Sequence, residues 1–102
     1  MKKIINGKKY DTETAKECGI YSNGLPISNF SYVRETLYRK NNGEFFVHGQ
    51  GGAYTQYGVS CGQNCWGDGE QILPLTINNA MQWAERYLDA DEYEAIFGEV
   101  EE

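Results

Sequence analysis

The sequence predicts a single α+β domain over residues 1–102: a small antiparallel sheet with a short N-terminal helix and C-terminal helices packed on one face. Three observations predict it. Apolar residues alternate on both sides of Asn41-Asn42-Gly43, the pattern of a β-hairpin. Ile77, Ala80, Met81, Ala84 and Leu88 recur at helical spacing late in the chain. A chain of 102 residues is long enough for one modest core and too short for two.

The first element is a short hairpin, Lys3-Ile4-Ile5-Asn6-Gly7-Lys8-Lys9-Tyr10, because Asn-Gly tolerates the positive φ angles of a two-residue type I′ turn. Asp11 or Thr12 then caps a helix through Cys18, with Gly19 in the C′ position. Residues 20–30 read as loop, punctuated by Asn23-Gly24 and Pro26. Tyr32–Lys40 and Glu44–Gly49 pair across a three-residue turn with Gly43 left-handed. In that register Lys40 faces Glu44, Arg39 faces Phe45, Tyr38 faces Phe46 and Leu37 faces Val47. Val33, Leu37, Phe45 and Val47 then share one face, and Tyr32, Tyr38, Phe46 and His48 the other.

Residues 49–70 carry many glycines and little periodicity, so they are expected as a long loop hiding a short strand near Tyr54–Val59. Gln71–Leu75 is a third strand. Thr76 caps the helix behind it, with Trp83 and Tyr87 widening the core stripe. Asp89 and Glu92 form a capping box for a last helix that buries Tyr93, Ile96 and Phe97, stops at Gly98 and leaves residues 99–102 frayed.

Charge is segregated along the chain. Residues 1–40 carry eight basic and four acidic side chains, a net of +4; residues 41–102 carry Arg86 against eleven acids, a net of −10, and the two give −6. Such a dipolar chain steers encounters with a basic surface and disfavours nucleic-acid binding by its acidic part. Two surfaces are therefore candidates for a partner. Glu85, Asp89, Asp91, Glu92 and Glu94 form an acidic array suited to a basic groove. Tyr32, Arg34, Tyr38, Arg39 and Lys40 interleave aromatic and basic groups, as surfaces that stack and clamp single-stranded RNA do.

Catalytic chemistry has little support. Gly49-Gln50-Gly51-Gly52 lacks the Gly-Lys-Ser/Thr ending of a phosphate loop, and no lysine follows residue 40. His48, the single histidine, is the one base available to Ser60, Cys61 or Cys65. Cys61 and Cys65 have three residues between them where zinc pairs usually have two, so no metal and no cofactor is expected. The three cysteines are an odd number without a secretory leader, and reduced thiols in a cytoplasmic protein are expected. No apolar run approaches the roughly 20 residues that span a bilayer, so no membrane partner is expected.

Residues 2–15 (Lys-Lys-Ile-Ile-Asn-Gly-Lys-Lys-Tyr-Asp-Thr-Glu-Thr-Ala), Glu35-Thr36-Leu37-Tyr38-Arg39-Lys40 with Gly43-Glu44-Phe45-Phe46, Pro74-Leu75-Thr76, and Trp83-Ala84-Glu85 with Ala90-Asp91-Glu92-Tyr93-Glu94 resemble a family of small proteins of bacterial mobile elements and phages. Some of these act as anti-CRISPR proteins against type II-A systems. The resemblance implies a non-enzymatic inhibitor in the host bacterial cytoplasm, whose partner is the CRISPR effector nuclease or its guide-RNA complex, with direct RNA contact as one mode. It assigns no functional residue. An accessory factor that binds another mobile-element protein, and a small hydrolase or nuclease, are the alternatives.

Overall fold

Residues 12–18 have the propensity of a helix, yet they lead into the edge strand of a sheet. In the computed structural model, which describes residues 1–101, the elements are β1 (Lys2–Ile5), β2 (Lys8–Asp11), β3 (Lys16–Ser22), β4 (Val33–Arg39), β5 (Phe45–Gly51), β6 (Val59–Gly62), β7 (Cys65–Gly67), β8 (Gly69–Leu75), α1 (Ile77–Tyr87) and α2 (Ala90–Phe97). Strand accounts for 43% and helix for 19%, so the chain is mostly β and the expected α+β class is corrected. No helix forms among the described residues before Ile77.

The physical reason lies at Gly19 and Tyr21. A Cβ on Gly19 would lie 2.8 Å from both methyls of Leu88, so this glycine admits the end of α1 and caps no helix. Tyr21 stacks on Tyr87, ring centroids 4.0 Å apart. An irregularity between Glu17 and Gly19 turns the half-buried Cys18 into the same core. These contacts and the ladder to β4 outweigh a weak local helix preference.

The main sheet has the order β3-β4-β5-β8, antiparallel throughout, with separate two-stranded β1-β2 and β6-β7 ribbons. The β4-β5 register is the expected one: Leu37 pairs with Val47, Tyr38 with Phe46 and Arg39 with Phe45. Lys40 N donates to Glu44 O at 2.8 Å, and Gly43 sits at φ 91°. Asn6 and Gly7 take φ 51° and 76°, as a type I′ turn requires.

Both sheet faces are covered. On one, Leu37, Phe45 and Val47 pack under α1 and α2; Ala80 and Ala84 are fully buried and let α1 approach closely. On the other, Phe46 and Ile72 pack against Tyr10 of the β1-β2 ribbon. Ile77 is 53% exposed and falls outside the stripe expected for it. Thr76 accepts from Asn79 N, and Asp89 and Glu92 complete the capping box. Gly98 caps α2 as expected, while Tyr93, Ile96 and Phe97 are only half-buried. The expected frayed tail includes Glu102, which lies outside the described residues.

The long loop is shorter than expected, because β5 runs on to Gly51 and β8 begins at Gly69. The strand expected near Tyr54–Val59 instead begins at Val59. A disulfide joins Cys61 and Cys65 across the β6-β7 turn, correcting the expectation of reduced thiols; Cys18 is free.

Candidate functional site

The densest polar chemistry gathers around Glu35, a residue with no role in the sequence-based candidates. Strand alternation places Glu35 on the helix-covered face with Leu37, where it is 7% exposed. Its ladder partner on β5 is Gly49. The missing side chain leaves a slot that the ring of Tyr57 fills, since a Cβ on Gly49 would fall 2.5 Å from Tyr57 Cε1 and nearer still to Cζ and Oη.

Residues 52–58 deliver that ring. Gly52 N donates to Tyr32 O at 2.8 Å, Tyr54 N to Phe30 O at 2.9 Å, and Tyr57 N to Thr55 Oγ1 at 3.2 Å. Tyr57 is 1% exposed and its hydroxyl donates to Glu35 Oε2. Gln56 Nε2 donates to the same oxygen at 3.2 Å, and Trp83 Nε1 of α1 donates to Oε1 at 2.9 Å. Burial first, then the adjacent carboxylate, pushes the Tyr57 phenol well above its ordinary range, which keeps it a donor. No cation among the described residues is in ion-pair contact with Glu35. A cavity of about 320 Å³ opens beside it, walled by Trp83 and Tyr87 with Asn79, Gln82 and Arg86 at the rim.

The acidic array is only partly brought together. Glu85, Asp89 and Glu94 line one groove of about 540 Å³ along α1 and α2. Glu92 lines a different cavity, with Lys16 and Arg39, and Asp91 is exposed in the first turn of α2. Asp89 and Glu92 hold the α2 cap, and Glu94 Oε2 accepts from Val100 N at 3.0 Å. Among the described residues none of the five forms an ion pair.

The basic and aromatic residues of the β4-β5 hairpin are dispersed. Tyr32 precedes β4 and is 7% exposed. Arg34 is exposed, while Tyr38 stacks on Phe46 with centroids 5.2 Å apart and planes at 12°. Burial raises the Tyr38 phenol. Arg39 lies over Phe45 at 5.7 Å, on the opposite face from Tyr38. Lys40 sits 3.8 Å above the Tyr10 ring and 3.1 Å from Glu44. Tyr32 is buried and one face of Tyr38 is covered by Phe46, so the two rings do not form an open stacking platform.

Cys61 and Cys65 are bonded to each other and cannot act as a metal pair or as thiol nucleophiles in this state. His48 Nε2 is buried without a hydrogen-bond partner, 3.6 Å from Glu70 Oε2. Gly49 and Gly51 belong to β5, and Gly52 is packed against Phe30 O, so these residues form no phosphate cradle. At the far end of the sheet Ile27, Phe30, Tyr54 and Trp66 are each at least 60% exposed, with Phe30 and Tyr54 in mutual contact at 5.2 Å.

Comparison with known proteins returns no matching family model, no similar characterised protein and no similar solved structure. Among the described residues no helix is long and apolar enough to cross a membrane.

Proposed function

We propose that this chain acts by binding without turnover, as an inhibitor of a type II-A CRISPR effector nuclease in the cytoplasm of a host bacterium. The nuclease is implied by the sequence resemblance; the mode rests on one observation. The carboxylates of α1 and α2 form no ion pairs among the described residues, so no cation neutralises them at contact distance and their negative charges outnumber the single Arg86 of the two helices. The channel that holds a guide–target heteroduplex is strongly positive, and this face is complementary to it.

The structure also selects the residues to alter. Reversing Asp89 or Glu92 would disrupt the α2 cap together with the charge, whereas Glu85 and Asp91 make no side-chain hydrogen bond among the described residues. Glu85→Lys with Asp91→Lys is therefore the variant that changes the field and leaves the cap hydrogen bonds of α2 in place, at a cost of about 0.3–1 kcal/mol for a cation in the first turn. Purified protein is added to the nuclease before or after guide loading, and DNA cleavage is followed. Inhibition near one-to-one that survives chelation, and that weakens in the double variant and with rising salt, is expected. Inhibition only before loading, retained by the double variant and lost with Arg34→Ala, would replace channel blockade with guide interference. One copy inactivating many nuclease or guide molecules would refute binding without turnover.

A further inference from the structure

We infer that the cavity beside Glu35 is a binding site for an organic cation of side-chain size, a guanidinium or alkylammonium group, held by the Glu35 carboxylate beside the Trp83 and Tyr87 rings.

The carboxylate is arranged for one more donor than the protein supplies. Its two oxygens offer four lone-pair directions, and three are taken: Oε2 by Tyr57 and Gln56, Oε1 by Trp83 alone. All three donors are neutral. A carboxylate removed from water is stabilised by neutral donors, but a residual negative charge stays uncompensated in a region of low dielectric. A cation entering the cavity supplies the fourth donor and the counter-charge together.

The walls suit the same ligand. Trp83 and Tyr87 stand edge to face, centroids 5.3 Å apart, so the cavity adjoins aromatic surface beside a carboxylate, the combination that recognises ammonium and guanidinium groups. Tyr21 backs Tyr87 by stacking, and Trp83 is fixed by its bond to Glu35, so the walls are held in place before a ligand arrives. A cavity of about 320 Å³ is near the lower limit for small-molecule sites and fits one side chain. Arg86, exposed at the rim with its guanidinium 5.9 Å from the Tyr87 ring centroid, is the one cation lining the cavity, and it competes with an entering cation for that ring. The site is separate from the acidic groove of Glu85, Asp89 and Glu94, and the inference does not depend on the nuclease.

The test reads the indole N–H resonances of the intact protein by two-dimensional NMR. Trp83 reports on Glu35, and the exposed Trp66 is the internal control. N-acetylarginine amide, N-acetyllysine amide, methylguanidinium and urea are titrated at matched ionic strength. The cations should move the Trp83 resonance in a saturable way and leave Trp66 in place, while urea does neither. Glu35→Gln should weaken binding by about tenfold or more, the scale of one charge-assisted hydrogen bond. Arg86→Ala, at an exposed position that leaves the fold intact, should tighten it. Tighter binding of the capped amino acids than of methylguanidinium identifies a side chain presented by another protein; the reverse order identifies a free small cation. An unmoved Trp83, an equal response to urea, or an Arg86→Ala variant that binds no cation more tightly than the parent overturns the inference.

Discussion

Gly49→Ala should be among the most damaging single-methyl additions in this protein. The new Cβ would overlap the Tyr57 ring, 2.5 Å from Cε1 and closer to Cζ and Oη. The ring has no free direction of retreat, because Tyr57 is 1% exposed and its hydroxyl is bound to Glu35. Overpacking a rigid core position costs about 1–3 kcal/mol. If the ring withdraws, the bond to the carboxylate is lost as well, about 1.5–3 kcal/mol for a hydrogen bond to a charged group. The range is thus about 2.5–6 kcal/mol, a large part of the 5–15 kcal/mol typical of a domain. Urea unfolding of four proteins, the parent, Gly49→Ala, Tyr57→Ala and the double variant, isolates the clash. In the Tyr57→Ala background the alanine at 49 meets open space, so its cost should fall below about 1 kcal/mol, giving a strong coupling between the sites. A Gly49→Ala protein within about 0.5 kcal/mol of the parent, or equal costs in both backgrounds, would refute the packing of Tyr57 over Gly49.

Leu37 is fully buried between the sheet and α1, and Leu37→Ala should cost about 2–5 kcal/mol; an unchanged thermal midpoint would contradict the register of β4. Hydrogen bonds from Lys8, Asn42 and Lys40 hold the Glu44 carboxyl at about 2, below its ordinary 4.5. A depressed folded value means that this stabilisation is present above pH 4.5 and is lost as pH falls toward 2, so Glu44→Gln should flatten the dependence of Tm on pH in that window. An identical acid slope in the variant would show that the cluster around Glu44 does not form in solution. Burial pushes the half-buried Cys18 thiol up, so alkylation of the unreduced native protein should be slow at neutral pH, faster in alkali, and limited to one site per chain, rising to three after reduction. Three rapidly reacting thiols before reduction would contradict both the burial of Cys18 and the Cys61–Cys65 bond.

What the sequence determined by itself is the local chemistry. Asn6-Gly7 forms the expected turn because few other residue pairs accept two consecutive positive φ angles. Gly43 sets a three-residue turn, and the β4-β5 register follows, since a one-residue slip would move Leu37 and Val47 off the core face. Thr76, Asp89 and Glu92 cap helices through atoms three residues away. Each of these depends on neighbours in the chain, which a sequence displays directly. The fate of residues 16–22 depends on Leu88 and Tyr87, some 70 residues on, and only the tertiary structure made one strand of a segment expected as the end of a helix through Cys18 and the start of a loop at residue 20. The Glu35 site is of the same kind. Its donors come from residues 56, 57 and 83, and its space from a glycine on the neighbouring strand. Single signals were present, a Trp and a Tyr whose polar atoms need partners once buried and a glycine inside a strand, but nothing local says that they meet. Their meeting point is set by how the 52–58 segment folds back over β5, and that path is fixed by backbone hydrogen bonds to Phe30 and Tyr32, which carry no trace in side-chain pattern.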